Sequence, residues 1–150
     1  MSEVLSFGRN HIRHFAINGN EEHAIDLDTT DTGILTRWEQ TENELMATIS
    51  ELDTIGDGDG ENEREKAVAM SRRFGEVEAK AREQIDFLFN TNVSGPICAE
   101  YGNLLRTVDG EPFIMTVMET LLGFYAEDIR KDMEESKARI EKHTKKYLKK

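Results

Sequence analysis

An acidic loop holds the residues of this chain that come nearest to a metal site. Asp57, Asp59 and Glu61 alternate with glycine and resemble the start of a calcium-binding EF-hand loop. With Asp57 as the first position, such a loop requires glycine at the sixth position and glutamate at the twelfth. Those positions hold Asn62 and Val68, so the pattern fails. A flexible acidic linker is therefore the favoured interpretation.

The remaining metal-binding and nucleophilic side chains are few and scattered. His11 and His14 are close enough to share a metal ion on a helix, but they precede a predicted strand and lack a carboxylate or thiol at useful spacing. His23 lies across a predicted hairpin, where it could face His14, and a fortuitous surface cluster is the favoured interpretation. His143 stands among lysines and is interpreted as a solvated residue. Cys98 lacks a histidine partner on its helix, and a free cysteine is often a small buried apolar group.

None of these side chains completes a known catalytic pattern. The sequence contains no nucleophile elbow, no His-Glu-x-x-His pair and no phosphate-binding loop. Trp38 and the run Phe87-Leu88-Phe89 are interpreted as core residues rather than as a platform for a ligand. The sequence therefore predicts a protein that is not an enzyme, with no catalytic, cofactor-binding or metal-binding residues.

Composition narrows the possible partners and the cellular compartment. The 150 residues include 30 Asp and Glu against 19 Lys and Arg, a formal net charge of −11. Nucleic acid is not expected as a partner, because phosphate binding requires a basic face. No segment approaches the roughly 18 apolar residues of a membrane span, so no membrane association is expected. The single cysteine fits a reducing compartment. We expect one domain over residues 1–150, with residues 1–10 disordered.

The N-terminal part of the chain predicts a β-hairpin. Phe15 and Ile17 alternate with polar residues, Asn18-Gly19-Asn20 tolerates positive φ, and the alternation resumes at Ile25 and Leu27. An isolated hairpin is only marginally stable in water. We therefore expect the face that carries Phe15, Ile17, Ile25 and Leu27 to lie on helices.

Three main helices and one short helix are predicted after the hairpin. The first spans about residues 33–54, and the second about residues 62–90, with Asn62 as N-cap and Glu65 in a capping box. A short helix starts at Ser94 and Pro96. The apolar stripe of the second helix comprises Ala67, Met70, Phe74, Val77, Ala81, Ile85 and Leu88. The predicted fold class is α+β, mostly α, with an N-terminal β-hairpin packed on a bundle of three main helices and a long C-terminal helix.

The last helix is predicted to begin at the Glu111-Pro112 start signal and to run to about residue 148. At about 1.5 Å per residue it would be about 54 Å long, whereas a compact domain of this size is roughly 40 Å across. Residues 126–150 are therefore expected to form a projecting helical tail. A thin apolar stripe along this tail is the candidate partner-binding surface; it comprises Ala126, Ile129, Met133, Ile140, Tyr147 and Leu148. The alternative is a solvated helix end that frays.

Three stretches of the chain resemble those of a known family. They are the hairpin from Phe15 to Leu27, the run Ile85-Asp86-Phe87-Leu88-Phe89 with the break that follows it, and the closing string from Arg139 to Tyr147. From Phe15 to the end, the chain resembles the small tail assembly chaperones of long-tailed bacteriophages and prophages, especially those of Gram-positive hosts. The resemblance implies a non-enzymatic protein that binds the tape measure protein, keeps it soluble and helps to recruit tail tube subunits. It also implies a location in the cytoplasm of the bacterial host and absence from the mature virion.

A second hypothesis does not depend on the family resemblance. A generic helical adaptor or regulatory protein that dimerises through its C-terminal helix would have the same composition and the same thin stripe. Both hypotheses allow a homo-oligomer. They differ in the partner, because only the chaperone hypothesis predicts binding to the tape measure and tail tube proteins.

Overall fold

The computed structural model describes residues 2–5, 12–56 and 60–148, with side chains as far as residue 146. The elements in chain order are β1 (Ile12–Ala16), β2 (Ala24–Asp28), α1 (Gly33–Ser50), α2 (Glu63–Phe89), α3 (Ser94–Tyr101), β3 (Thr107–Val108), β4 (Glu111–Pro112) and α4 (Phe113–Leu148). This mostly helical arrangement, with an N-terminal hairpin and a long C-terminal helix, confirms the predicted fold class. The acidic residues Asp57 and Asp59 and most of residues 1–10 lie outside the described residues.

The hairpin packs on the helices with the face that the sequence indicates. β1 and β2 are antiparallel, with Phe15 opposite Ile25. Ile25 and Leu27 are buried, and Phe15 lies with its ring centroid 4.9 Å from that of Phe124 on α4. The turn uses the left-handed backbone region at Asn18, where φ is 57°, and this conformation is one that asparagine adopts more readily than most residues.

Helices α1 and α2 run antiparallel, and they are held together by contacts at both ends of α1. Near the start of α1, Arg37 donates from Nε to the carbonyl oxygen of Leu88, near the end of α2, at 2.8 Å. Beyond the end of α1, Lys80 of α2 donates to a carboxylate oxygen of Glu51 at 3.0 Å. The two helices therefore cover each other along the whole of the shorter one.

Two threonines complete the buried face of α1. Thr41 and Thr48 are both buried, and their hydroxyls donate to the carbonyl oxygens of Arg37 and Glu44, one turn earlier in the helix. This satisfies the hydroxyls without a partner on another element. The apolar pattern missed both positions because threonine is polar, although its methyl group packs as an apolar one.

The start of α2 differs from its prediction. Asn62 accepts from the backbone N–H of Glu65 at 2.9 Å, as the predicted N-cap should. The Glu65 carboxylate accepts from the N–H of Glu61 rather than from that of Asn62, so the second bond of the predicted capping box is shifted by one residue. The prediction that Ala67 and Met70 are buried is wrong, because both are exposed. The reason is length: α2 has 27 residues and α1 has 18, so the first turns of α2 extend past the helix that would cover them.

A carboxylate at the end of α2 caps α3. Asn90 ends α2 in the left-handed region, with φ at 55°, in the place where glycine is commonest. Asp86 Oδ1 then accepts from the backbone N–H groups of Val93 and Ser94, at 2.9 and 2.8 Å, and its Oδ2 accepts from the Ser94 hydroxyl at 2.7 Å. These bonds fix the direction of the short predicted helix, which is confirmed over Ser94–Tyr101.

The last helix begins at Phe113, one residue after the predicted start at about Pro112, so the Glu111-Pro112 signal lies just outside the helix. Both residues lie on β4, which pairs with β3 through a turn whose central residues, Asp109 and Gly110, have φ of 53° and 83°. The backbone N–H groups of Phe113 and Ile114 donate to loop carbonyl oxygens at 2.7 Å, so partners outside the helix satisfy two donors of its first turn.

Candidate partner-binding surfaces

The C-terminal part of α4 is exposed on all sides. Every described side chain from Arg130 to Lys146 is exposed, and we call residues 130–148 the distal segment. Met133 and Ile140, both in the predicted stripe, are 63% and 64% exposed. Large apolar side chains at such exposure are accessible to a partner.

The other residues of the predicted stripe differ in their exposure. Ala126 is exposed, whereas Ile129 is half-buried and packs against the core of the chain itself. Tyr147 and Leu148 belong to the last turn of α4, and their side chains lie outside the described part of the structure. The described, fully accessible part of the stripe therefore consists of Ala126, Met133 and Ile140.

An anchor between the hairpin and α4 marks the beginning of the exposed segment. Asp128 accepts from the Thr29 hydroxyl at 2.5 Å and from Arg13 Nη1 at 3.3 Å. The Arg13 guanidinium in turn lies 4.4 Å from the centroid of the Phe124 ring. The hydrogen bond from Thr29 and, after it, the bond from Arg13 lower the pKa of Asp128. α4 is thus attached to the body as far as Ile129.

A second candidate surface lies between the hairpin, α3 and the first half of α4. It is an open groove with a volume of about 360 Å³, which we call the hairpin groove. Its walls are mainly apolar; they include Phe15, Ile17, Ile97, Phe113, Val117, Leu121 and Phe124. The sequence patterns did not predict this groove, because its residues come from three separate elements.

A polar network joins the hairpin turn to α3 and includes Asn18 and Tyr101, which line the hairpin groove. Glu100 of α3 lies 2.6 Å from His23 Nδ1 and accepts from the amides of Asn18 and Asn20 at 3.3 Å. The Tyr101 hydroxyl donates to Asn18 Oδ1 at 2.7 Å. The bond from His23 is the largest cause of a lowered pKa at Glu100. These contacts hold the hairpin turn against α3.

The predicted proximity of His14 and His23 is wrong. His14 lies between two carboxylates, with Nδ1 2.6 Å from Asp26 and Nε2 2.6 Å from Glu21, whereas His23 faces α3. The hydrogen bond to Glu21 and then the bond to Asp26 raise the pKa of His14. His11 lies outside the described residues. Because the two rings point to different carboxylates, no histidine pair forms across the hairpin.

In the part of the chain that the structure describes, the other candidate nucleophilic, ligand-binding and metal-binding residues have no surroundings that suit those roles. Cys98 is buried, and desolvation raises the pKa of its thiol, which is the opposite of what a nucleophile needs. Leu88 and Phe89 are core residues as predicted, but the prediction that Phe87 is buried is wrong, because it is half-exposed. Within the described ranges, no group of three or more His, Cys, Asp and Glu side chains could hold a metal ion.

Comparisons with protein-family models, with curated protein sequences and with solved structures find no match. No helix among the described residues combines the length and the apolarity that crossing a membrane requires. The candidate surfaces therefore rest on their own geometry: an apolar groove on the body and an exposed, thinly apolar helix end.

Proposed function

We propose that this protein is a non-catalytic tail assembly chaperone of a long-tailed phage or prophage. Its partner is the tape measure protein, and it helps to recruit tail tube subunits around that protein in the cytoplasm of the bacterial host, without entering the mature virion. The family resemblance supplies the identity of the partner. The exposure of Met133 and Ile140 on the distal segment is the observation that supports a protein-binding role.

The distal segment has the properties that transient binding of a helical partner requires. Its apolar side chains are separated by seven residues and surrounded by charges, so the contact area is narrow. A narrow stripe binds weakly by itself, and several copies along an extended partner would add their contributions. Methionine is unbranched and adapts to irregular surfaces, which suits contact with a varied sequence.

Coexpression with the tape measure protein tests this proposal. The wild-type chain is expected to keep the tape measure protein in the soluble fraction and to copurify with it. The double variant Met133→Glu/Ile140→Glu is expected to lower recovery of the complex at least about tenfold, because few interface residues carry most of the binding energy. The matched control is Ala138→Glu/Lys142→Gln, which makes the same change in net charge on the outer face of the helix. Equal recovery with both double variants would exclude the distal segment as the binding surface.

A truncated chain gives a second measure of the same surface. The chain should end after Arg130, so that Asp128 and Ile129, which contact the body, are retained. The shortened protein is expected to retain its thermal transition and to lose the tape measure protein. Retained binding would point to the hairpin groove, where Thr120→Glu is the corresponding variant, because Thr120 lines the groove and is exposed.

The chaperone and adaptor hypotheses differ in the partners that they predict. A chaperone gene should lie between a tail tube gene and a very long tape measure gene. A generic adaptor has no reason to lie there, and it would bind neither product of those genes. Absence of binding to both tail proteins, with the self-association intact, would favour the adaptor.

A further inference from the structure

Charge is unevenly distributed along α4 from Ala126 onward, where the described side chains are exposed except for the half-buried Asp128, which pairs with Arg13, and Ile129. In residues 126–136, five carboxylates stand against two cationic side chains, a net charge of −3. In residues 137–147, five cationic side chains stand against one carboxylate, a net charge of +4. The two halves of this helical stretch are therefore of opposite sign and equal length.

We propose that a second copy of this chain packs antiparallel against this stretch of α4. In an antiparallel pair, the negative half of each helix lies beside the positive half of the other. In a parallel pair, like charges would lie side by side along the whole contact, which costs binding free energy. The opposed helix dipoles favour the same direction. The proposal concerns self-association and does not depend on the proposed chaperone function.

The apolar stripe has the symmetry that an antiparallel pair requires. Ala126, Met133, Ile140 and Tyr147 are each seven residues apart, and the set is symmetric about the point between Ser136 and Lys137. A two-fold axis at that point brings Met133 to the level of Ile140 of the second copy. It also brings Ala126 to the level of the second copy's residue 147, so a small residue lies at the level of a large one. The charge pattern and the apolar pattern thus specify one register.

The ends of the pair are complementary as well. Residues 1–125 contain 24 acidic and 10 basic residues, a net charge of −14. The last nine residues contain five lysines and no acidic residue. In the proposed register, the lysine-rich end of each helix lies beside Ala126, where α4 leaves the acidic body of the other copy. This long-range attraction is expected to speed association.

The stretch is long enough for a pair but too narrow for a permanent one. Residues 126–147 would extend about 33 Å at 1.5 Å per residue. A single row of apolar side chains over this length gives an interface at the low end of the range for specific contacts. We therefore expect a dissociation constant in the micromolar range, roughly 1–100 µM, and about a tenfold weakening between 50 and 500 mM salt, because exposed charges are screened. The pair would also cover Met133 and Ile140, so a partner for these residues would compete with self-association.

Disulfide trapping of the purified full-length chain tests the direction and register. Single cysteines are introduced at Ala126, Ser136, Tyr147 and, as an outer-face control, Glu134, in a Cys98→Ala background whose fold is checked by circular dichroism. An antiparallel pair predicts that Ser136→Cys forms a disulfide-linked dimer and that Ala126→Cys alone does not. A mixture of Ala126→Cys and Tyr147→Cys is expected to give the mixed dimer. Glu134→Cys is expected to remain at least about tenfold less cross-linked than Ser136→Cys, because it lies on the opposite face.

Two results would overturn the proposal. The first is a disulfide dimer of Ala126→Cys as abundant as that of Ser136→Cys, which would indicate a parallel pair. The second is a wild-type chain that sediments as a monomer at roughly 0.5 mM in low salt. This concentration is about five times the largest dissociation constant expected from the size of the interface. Both experiments use the chain alone, so their failure would leave the proposed binding of the tape measure protein to be judged by coexpression.

Discussion

The two parts of α4 form one continuous helix with opposite surroundings. Between Phe113 and Ile129, its large apolar residues are buried or half-buried, with contacts to the hairpin, α2 and the loop that precedes β3. Beyond Ile129, every described side chain is exposed. The same residue type shows the contrast: Ile114 is completely buried, and Ile140 is 64% exposed. Burial of the first part stabilises the fold, whereas the second part adds little to folding and remains available for association.

The contrast also appears in the charges of the two parts. At the end of the buried part, the single carboxylate of Asp128 has two partners from the hairpin, Thr29 and Arg13. In the distal segment, charges pair with neighbours on the same helix, as Arg130 does with Glu134 at 3.7 Å. Exposed pairs of this type contribute little to stability. Helical structure in the distal segment of this chain therefore depends on local interactions alone.

The largest expected effect is a difference in the free energy of unfolding when the same substitution is made in each part of α4. Ile114→Ala leaves a cavity in the core and is expected to lower the free energy of unfolding by about 2–5 kcal/mol. Ile140→Ala removes the same atoms from a solvated position and is expected to change it by less than about 0.5 kcal/mol. Urea unfolding followed by circular dichroism, at a protein concentration low enough to avoid self-association, measures both. Similar losses of unfolding free energy in the two variants would contradict the division of α4 into a buried and an exposed part.

A smaller effect is expected at the boundary, from Asp128→Asn. The substitution removes the charge that Thr29 and Arg13 stabilise, and we expect a loss of about 1 kcal/mol at neutral pH. Because the pKa of Asp128 is lower in the folded protein than in the unfolded chain, this contribution is present at neutral pH. It is lost as the pH falls from the ordinary aspartate range through the lowered value. Urea unfolding at a series of pH values should show the wild type and the variant converging in acid.

Asp132→Asn is the control for that experiment, since Asp132 is exposed on the distal segment. Its unfolding free energy should follow that of the wild type at every pH. A difference between wild type and Asp128→Asn that stays constant down to acidic pH would mean that shape, rather than charge, makes the contribution at Asp128.

The smallest effect is expected from an ion pair at the start of the exposed stretch. Lys131 donates to Glu127 at 3.0 Å, in the favourable order along the helix. Glu127→Gln is expected to cost no more than about 0.2–0.5 kcal/mol, and the cost should vanish in high salt. The thermal transition at low and high salt measures it. A cost above 1 kcal/mol that persists in salt would indicate contact between this turn and the body.

Much of the fold could be predicted because short-range patterns determine it. The hairpin follows from alternation around Asn18-Gly19, and the start of α2 follows from the capping chemistry of Asn62. Each of these signals acts over a few residues and requires no knowledge of the tertiary structure. The long apolar-to-charged progression of α4 is likewise visible in the residue order itself.

The errors occur where distant elements decide the outcome. Pro112 is a sound helix-start residue, but pairing with Thr107 places it on a strand. Met70 has the spacing of a buried residue, but α1 is too short to cover it. Thr41 is buried only because its hydroxyl finds a carbonyl oxygen on its own helix. Helical periodicity indicates which residues share a face, and it does not indicate how far the neighbouring element extends.

The same distinction between short-range patterns and contacts of distant elements applies to the candidate surfaces. The exposed stripe at Met133 and Ile140 was predictable, because a helix longer than the domain must leave it. The hairpin groove was not, since Ile17, Ile97 and Phe124 meet only after three elements have packed together. Ile129 was placed in the stripe by its spacing, whereas the structure places it against the core.

The exposure of residues 130–146 has a consequence for how this chain can change over generations. Substitutions in the buried part of α4 must preserve the core, so few are tolerated. Substitutions in the distal segment need only keep the helix intact. In the proposed role, the partner-binding surface could therefore change along with its partner without loss of the fold, and the distal segment could be exchanged between related chains as a unit.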